Sequence, residues 1–360
     1  MGNIFKDKSK PIIIAGPCSV ESRLQLAESV ESLAALDEID MVRCGVWKPR
    51  THPGGFEGLG EPALAWMEEI HKSRPKIQFC CEVARPEHIE LCQRYGVNCV
   101  WIGARTSGDP FSMEQLAQAL RGSGMSVMVK NPLTAEVQLW MGAIERLMRA
   151  GIEDIAAIHR GFFVFQGNTP YRNSPLWEIP IELRRRMPEL PILCDPSHIG
   201  GRREYLHTLM QTASDLGTDG FMVEVHPHPA EALTDKEQQV TAAELQQILR
   251  HIVRRNNEKT SNSELEALRR NIDLIDDTLL KKLKERMLIS KQIATIKAEC
   301  NMSVFQPKRW EEVLQQRIAN ATAMGLDGNF VKAIYEKIHA ESVRIQEDAI
   351  EDNPNRLSSH

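Results

Sequence analysis

Eight side chains that can bind an anion, a proton or a metal each follow a short apolar run in the first two-thirds of the chain. The set contains four cations, two carboxylates, one thiol and one imidazole. In chain order they are Cys18, Lys48, Glu82, Arg105, Lys130, Arg160, His198 and Glu224. If these side chains converge, they form a catalytic site rather than a packed surface.

The apolar runs predict the elements that position these residues. They lie at 12–17, 41–47, 76–81, 99–103, 126–129, 154–158, 191–194 and 220–223. Helix-like stretches separate them, so the pattern predicts eight β-strand/α-helix units. Eight units favour a closed (β/α)8 TIM barrel, an α/β fold whose active site lies at the C-terminal ends of the strands. The eight polar residues would therefore meet at one end of the barrel.

Sulfur, nitrogen and oxygen donors follow three of these runs. Cys18 follows the first run, His198 the seventh and Glu224 the eighth, and Asp235 lies in the next loop. Such a mixed donor set suits a divalent transition metal. The sequence therefore predicts one divalent ion and leaves manganese, iron, cobalt and zinc open.

Basic side chains cluster at the same predicted end of the barrel. They are Arg43, Lys48, Arg105, Lys130 and Arg160. Converging cations repel each other unless a phosphate or carboxylate neutralises them. Two further arginines follow Gly200-Gly201, a backbone that allows close approach by phosphate. We therefore expect one or two phosphorylated ligands beside the metal.

Length and composition limit the class of protein. The 360 residues suffice for a barrel of about 250 residues and a smaller domain. A net charge of −5 without a basic stripe argues against nucleic acid as a partner. The start does not resemble a signal peptide, no run approaches a membrane span, and the eight cysteines lack disulfide-framework spacing. We expect a cytoplasmic protein that does not bind membranes.

The pattern changes after the barrel. We assign 1–255 to the barrel, 256–263 to a polar linker, 264–350 to a helical domain and 351–360 to a disordered tail. Apolar residues beyond Glu264 keep three- and four-residue spacing, which predicts a helix of about 35 residues. A second helix begins at Pro307, and a third covers 329–348. Three helices of this length bury little core alone, so we expect an intertwined homodimer or a larger homo-oligomer.

The barrel motifs carry a family resemblance. Gly-Pro-Cys-Ser at 16–19, Lys-Pro-Arg-Thr at 48–51 and Ile-Gly-Ala-Arg at 102–105 come first. A lone lysine on the fifth run, His-Arg-Gly at 159–161, the Asp-Pro-Ser-His segment at 195–203 and Val-Glu-Val-His-Pro at 223–227 follow. In this order the motifs resemble 3-deoxy-D-arabino-heptulosonate 7-phosphate (DAHP) synthases, the type I beta form most closely.

The resemblance implies condensation of phosphoenolpyruvate with erythrose 4-phosphate. It implies these metal ligands: Cys18, His198, Glu224 and Asp235. It implies these contacts with phosphoenolpyruvate: Arg43, Lys48, Arg105, Lys130 and Arg160. It implies these contacts with erythrose 4-phosphate: Arg50, Thr51, Ser197 and Arg202. Lys48 is the candidate for proton delivery to the new hydroxyl, and Glu82 could instead position the attacking water.

Short motifs in the helical segment resemble the helical, AroQ-class chorismate mutases. They are Leu-Arg-Arg-Asn-Ile-Asp at 268–273, Glu-Arg-Met at 285–287, Lys-Ala-Glu at 297–299 and the Ser-Val pair before Gln346. The resemblance implies rearrangement of chorismate to prephenate, a pericyclic reaction that needs orientation and charge stabilisation only. The chain departs from the pattern at Gln306 and Trp310, where relatives carry acids that contact substrate hydroxyls. Glu311 or Glu312 could compensate.

The mutase resemblance implies residue roles. Arg269 and Arg286 would hold substrate carboxylates, Lys297 and Gln346 would reach the ether oxygen, and the remaining contacts would come from Arg309 and Ser342. In this family the first of these arginines acts across a dimer, which agrees with the long helix predicted here.

Two alternatives stay open at this point. The barrel could be of the octulosonate 8-phosphate synthase type, although that type carries an Asn-containing loop where this chain has the 48–51 motif. The helical domain could be only a regulatory sensor of chorismate or prephenate, and sensing and catalysis could coexist. We expect prephenate to slow the barrel reaction.

Overall fold

The computed structural model describes residues 4–5, 10–48, 54–164, 169–255 and 263–351. The chain divides into two compact units, Met1–Asn256 and Asn257–His360. Several sequence-based expectations fall outside the described residues. They are Arg50, Thr51, the linker up to 262 and the tail from 352.

The first unit contains eight parallel strands in a closed barrel, as predicted. Strands β1 to β8 are Ile12–Gly16, Met41–Cys44, Phe79–Val83, Cys99–Ile102, Ser126–Lys130, Ile155–His159, Ile192–Cys194 and Gly220–Glu224. The first strand pairs with β2 on one side and with β8 on the other, which closes the sheet. The pairing of Gly16 with Glu224 brings the ends of β1 and β8 side by side.

Nine helices connect and cover the strands of this unit within its described residues. Helices α1 to α9 are Arg23–Ala34, Glu61–Ser73, Pro86–Arg94, Pro110–Leu120, Val137–Arg149, Glu178–Arg186, Pro196–Gly200, Leu206–Asp215 and Ala242–His251. Local sequence explains several starts. Asp109 accepts hydrogen bonds from the backbone at Phe111 and Ser112, with Pro110 in the first turn. Thr241 and Glu244 form a capping box.

Side chains alternate between two apolar layers along each strand. On β1, Ile12 and Ile14 belong to the cluster inside the barrel, whereas Ile13 and Ala15 belong to the layer between strands and helices. This period of two is the strand geometry that sends successive side chains to opposite faces. All eight cysteines are free, and only Cys300 is exposed.

Three helices form the second unit: α10 (Ser263–Glu299), α11 (Pro307–Ala323) and α12 (Gly328–Glu351). The predicted long helix and the start at Pro307 are confirmed. Ser263, expected in the linker, already begins α10, and Glu351, expected in the tail, ends α12. Many apolar side chains of α10 are exposed in the single chain. They include Leu268, Ile272, Ile275, Leu279, Leu288 and Ile289.

No helix in the described part of the chain combines the length and the apolar character that a membrane crossing requires.

Candidate active sites

Three potential metal ligands lie together at the C-terminal end of the barrel. Cys18 follows β1, Glu224 ends β8 and Asp235 lies in the loop beyond it. Their ligand atoms lie within 4.8 Å of one another. The Cys18 thiol donates a hydrogen bond to Asp235 Oδ2 at 3.3 Å. The closure of β1 against β8 therefore creates a compact site with sulfur and oxygen donors.

His198, on the short helix α7, approaches this group. Its Nε2 lies 3.8 Å from Glu224 Oε1, and its Nδ1 lies 2.8 Å from Asp195 Oδ2. An acid on the second ring nitrogen orients a histidine whose first nitrogen binds metal. Thiolate, imidazole and carboxylate donors fit a divalent transition ion, so these four predicted ligands suit the metal that the sequence indicates.

The charges at this site affect one another strongly. Burial and the charge of Glu224 raise the pKa of the Cys18 thiol to about 12. Burial also tends to raise the pKa of Glu224, but the charges of His198, Arg43 and Lys48 outweigh it and hold that pKa below its usual value. The carboxylate therefore stays ionised, whereas the thiol would have to lose its proton when a metal binds.

Two of the predicted substrate-binding cations are buried and paired with acids. Arg43 on β2 donates from Nη2 to Glu224 Oε1 at 3.0 Å and lies over Trp101, 5.0 Å from the ring centroid. Its Nε and Nη1 atoms lack a hydrogen-bond partner among the described residues. Lys130, the last residue of β5, donates to Asp195 Oδ2 at 2.7 Å.

Lys48 follows β2 and faces the same site. Loss of hydration lowers its pKa, but the neighbouring Cys18, Glu82 and Glu224 charges raise the pKa above the usual lysine value overall. A Cβ atom at Gly45 would lie 1.8 Å from the Cys18 carbonyl oxygen and 2.4 Å from the Lys48 Cε. Glycine at 45 is therefore required for the close approach of this lysine and the Cys18 backbone.

Arg160 follows β6 and completes the buried cations. Its backbone NH donates to Asn131 Oδ1 at 2.7 Å, and its Nη1 donates to Asn173 Oδ1 at 2.8 Å. Burial lowers its pKa to about 10, and the positive charges of Arg172 and Arg105 act in the same direction. Guanidinium groups whose positive charges act on one another in this way create a region that attracts an anion.

The other predicted barrel residues differ in their environment. Ser197 is buried and accepts a hydrogen bond from the Glu224 backbone at 3.0 Å. Arg202 is exposed and lies 3.9 Å from Glu204. Glu82 accepts a hydrogen bond from Trp101 Nε1 at 3.3 Å.

Two of the predicted site residues of the helical unit contact each other directly. Arg286 on α10 donates a hydrogen bond to the Ser342 hydroxyl on α12. One turn further along α12, the Gln346 amide donates to the Ser342 carbonyl at 3.2 Å. Lys297, near the end of α10, donates to the Val304 carbonyl.

Two other predicted residues of this unit lie on its surface. Arg269 pairs with Glu266, and Arg309 pairs with Glu312. Because α10 rises about 1.5 Å per residue, Arg269 lies roughly 25 Å from Arg286 along the helix axis. The two arginines of one chain are therefore too far apart to bind the same small substrate molecule.

Each of the two units matches a known protein family. Residues 3–260 match the DAHP synthetase I family. The chain belongs to the DAHP synthetase I family. Residues 268–347 match the family described as chorismate mutase type II. The two matches cover the barrel and the helical unit in turn.

Individual relatives agree with this membership. A phospho-2-dehydro-3-deoxyheptonate aldolase of Thermotoga maritima is 33% identical over 227 residues, which are 63% of this chain and 64% of that protein. A 2-dehydro-3-deoxyphosphooctonate aldolase of Synechococcus is 25% identical over 67% of this chain and 87% of that protein. The crystal structure of a Thermotoga maritima DAHP synthase has a TM-score of 0.59 at 30% identity, over 67% of this chain and 68% of that one.

Three polar residues at the site of the DAHP synthetase I unit were not predicted from the sequence: Arg172, Gln238 and Asp195. Arg172 donates to Asp235 Oδ1 at 2.8 Å and to Gln238 Oε1 at 2.9 Å. Gln238 in turn donates to Glu224 Oε2 at 2.7 Å. These residues lie in loops outside the apolar runs, so strand periodicity carries no signal for them. Asp195 stands beside His198 in its motif, and that proximity was a signal for it.

A cavity of about 540 Å³ opens beside this network. Arg172, Gly201, Asp235 and Gln238 contribute to its lining. Asp235, one of the four metal-ligand candidates, therefore borders a space of small-molecule size.

Proposed function

We propose that the barrel is a metal-dependent DAHP synthase, a transferase that condenses phosphoenolpyruvate with erythrose 4-phosphate. The cluster of Cys18, Glu224 and Asp235, with the buried Arg43 paired to Glu224 in a DAHP synthetase I unit, carries this proposal. His198 would complete the ligand set. The divalent ion, when bound, would supply Lewis-acid polarisation of the aldehyde oxygen.

The cations would bind and orient the anionic substrate. Phosphoenolpyruvate carries a carboxylate and a phosphate, and four basic residues lie at the ends of β2, β4, β5 and β6: Lys48, Arg105, Lys130 and Arg160. Arg43 would add a donor, since two of its nitrogens have no partner among the residues described. Ser197 and Arg202, with Arg50 and Thr51 from the undescribed segment, would bind erythrose 4-phosphate.

The chemistry requires carbon–carbon bond formation and loss of phosphate. The enol carbon of phosphoenolpyruvate attacks the aldehyde, water adds to the neighbouring carbon, and phosphate leaves by C–O cleavage. Lys48 would deliver the proton to the new hydroxyl because its raised pKa keeps it protonated. Glu82 is the alternative candidate for a role in this reaction, since its carboxylate would position the attacking water.

A direct assay tests the barrel function. The intact chain is mixed with phosphoenolpyruvate and erythrose 4-phosphate, with and without a chelator, and phosphate release is followed. We expect release that the chelator abolishes and that added divalent ions restore. A parallel reaction with arabinose 5-phosphate tests the octulosonate type, since relatives of that name share 25–26% identity. Faster turnover of arabinose 5-phosphate would contradict our assignment.

For the helical unit, we propose chorismate mutase activity, an isomerase reaction. The Arg286–Ser342 contact and the match to chorismate mutase type II support it. Lys297 and Gln346 would act on the ether oxygen, and Arg309 would contact the remaining groups. Because Arg269 is remote from Arg286 on the same helix, we propose that a second copy supplies Arg269 within a homodimer. The exposed apolar face of α10 would then be covered.

We also propose that the protein acts in the cytoplasm, in the biosynthesis of aromatic compounds. Prephenate or chorismate bound to the helical unit would slow the barrel reaction. DAHP formation is measured in the intact chain as prephenate is added. An Arg286→Gln variant should lose this inhibition while its uninhibited rate persists. Mutase turnover by the intact chain distinguishes an enzyme from a sensor, because a sensor alone would leave chorismate unchanged.

A further inference from the structure

An aromatic cluster in the helical unit positions a histidine of α12. The imidazole of His339 on α12 stacks on the indole of Trp310 on α11, with centroids 3.9 Å apart and planes inclined by 10°. Phe305 contacts the same imidazole at a centroid distance of 5.7 Å. These two contacts fix the plane of the imidazole.

His339 belongs to the face of α12 that carries the proposed mutase residues. Residues three and seven positions further along the helix share its face, and these are Ser342 and Gln346. Ser342 accepts the hydrogen bond from Arg286. His339 is therefore one helical turn from a direct contact between two proposed substrate-binding groups.

One ring nitrogen of His339 is buried and makes no hydrogen bond to a described residue. Its Nε2 has no partner among the residues that the structure describes, and the same holds for Gln346 Oε1. Buried polar atoms are nearly always hydrogen-bonded, so an unpaired one beside a proposed site indicates a missing ligand. Two such atoms on one helix face indicate a polar ligand on that face.

The charge environment defines which ligand group fits. Loss of hydration and the charges of Arg286 and Lys297 lower the pKa of His339. The imidazole is therefore neutral near pH 7, and one of its nitrogens is a hydrogen-bond acceptor. The neighbouring cations suit carboxylates, whereas a neutral acceptor suits a hydroxyl group.

We propose that His339 is a further substrate-binding residue of the helical site, and that its Nε2 accepts a hydrogen bond from the ring hydroxyl of chorismate. Trp310 is the positioning residue that holds the imidazole in place. The proposal rests on the proposed mutase function of this unit. It assigns a role to Trp310, at which the chain departs from the mutase pattern.

The test compares two substrates in the full-length protein. His339→Phe keeps a ring against Trp310 but removes the acceptor, and His339→Gln keeps an acceptor. Lys337→Ala, on the exposed surface of α12, is the matched control. The kcat/KM is measured with chorismate and with an analogue that lacks the ring hydroxyl. Far-UV circular dichroism and a thermal unfolding scan of each variant report whether the helical unit remains folded.

We expect the wild type to prefer chorismate over the analogue by about five- to tenfold, the effect of one neutral hydrogen bond. His339→Phe should lose this preference, His339→Gln should keep most of it, and Lys337→Ala should match the wild type. A His339→Phe variant that keeps the preference, even with a lower rate on both substrates, overturns the proposal. A wild type that rearranges neither substrate overturns the mutase function itself.

Discussion

Lys130 and Asp195 form an ion pair inside the mouth of the barrel, with 2.7 Å between Nζ and Oδ2 and side chains that are 6% and 0% exposed. The same oxygen lies 2.8 Å from His198 Nδ1. Burial alone raises the pKa of Asp195, but the charges of His198 and Lys130 hold it well below the usual value. One carboxylate thus links a proposed substrate-binding cation to a proposed metal ligand.

Removal of Lys130 should destabilise the barrel as well as stop catalysis. Lys130→Met leaves Asp195 buried with one partner fewer, and the loss of one member of a buried pair costs about 3–5 kcal/mol. Urea unfolding of the barrel measures the change. The matched control is Lys72→Met, because Lys72 forms an exposed pair with Glu68. A loss equal to that of the control would show that the buried pair contributes nothing special.

Gln238 should support metal binding without being a ligand. Its amide donates to Glu224 Oε2 at 2.7 Å and so orients that carboxylate. Gln238→Leu should weaken the affinity for the divalent ion by about 10–100-fold, as loss of such supporting contacts does in metal sites. Titration of the metal-free protein measures this affinity. Gln118→Leu, which removes only an exposed contact with Glu114, serves as control. Equal affinities in both variants would contradict the supporting role.

Gly45 should not accept even a methyl group. In Gly45→Ala the new Cβ would lie 1.8 Å from the Cys18 carbonyl oxygen, so the backbone of one segment must move. We expect loss of DAHP formation and a thermal transition lowered by several degrees, since overpacking costs about 1–3 kcal/mol. Gly142→Ala places a methyl group no closer than 3.3 Å to the Arg146 side chain and should change little. An active Gly45→Ala protein would refute the close approach.

Mixed dimers test the shared mutase site. Arg269→Ala and Arg286→Ala should each lower mutase turnover by about 10²–10³-fold, because each removes charge stabilisation from the site. If a second copy supplies Arg269, mixing the two variants creates dimers in which one site retains both arginines, and activity returns. Each variant incubated with itself is the control. No recovery after verified subunit exchange would indicate that each chain completes its own site.

Acid should weaken the barrel through His159. This histidine is fully buried beside Trp140, Phe162 and Trp177, and burial lowers its pKa to about 3. An unfolded histidine has a pKa of about 6.5. Below that pH the unfolded chain binds a proton that the folded chain does not, so the free energy of unfolding falls as pH falls.

The expected size of this effect is about 2 kcal/mol between pH 7.5 and pH 5.0, at roughly 1.4 kcal/mol per unit below pH 6.5. Urea unfolding at both values measures it in the wild type and in His159→Leu. The variant should lack this share of the pH dependence, whereas His207→Gln, at an exposed position, should keep it. Identical slopes in all three proteins would contradict the buried neutral state of His159.

The strand order and the polar strand ends could be predicted from sequence. Short apolar runs separated by helical stretches leave few folds, and in a parallel barrel every strand presents its C-terminal end at the same mouth. Cys18, Glu224 and Asp235 therefore lie close together, as the positions of the apolar runs predicted. The three helices of the second unit followed from apolar spacing and from Pro307, because helix period and proline act locally.

The partners of these residues depended on tertiary structure. Spacing along the chain places Lys130 at the end of a strand, but only the closed barrel brings it to Asp195, which lies 65 residues away. Arg172 and Gln238 contact the metal-ligand candidates from loops that carry no periodic pattern. The sequence by itself determined which side chains at the strand ends reach the mouth. The tertiary structure decided which charges pair there, because burial and short distances between remote segments set those energies.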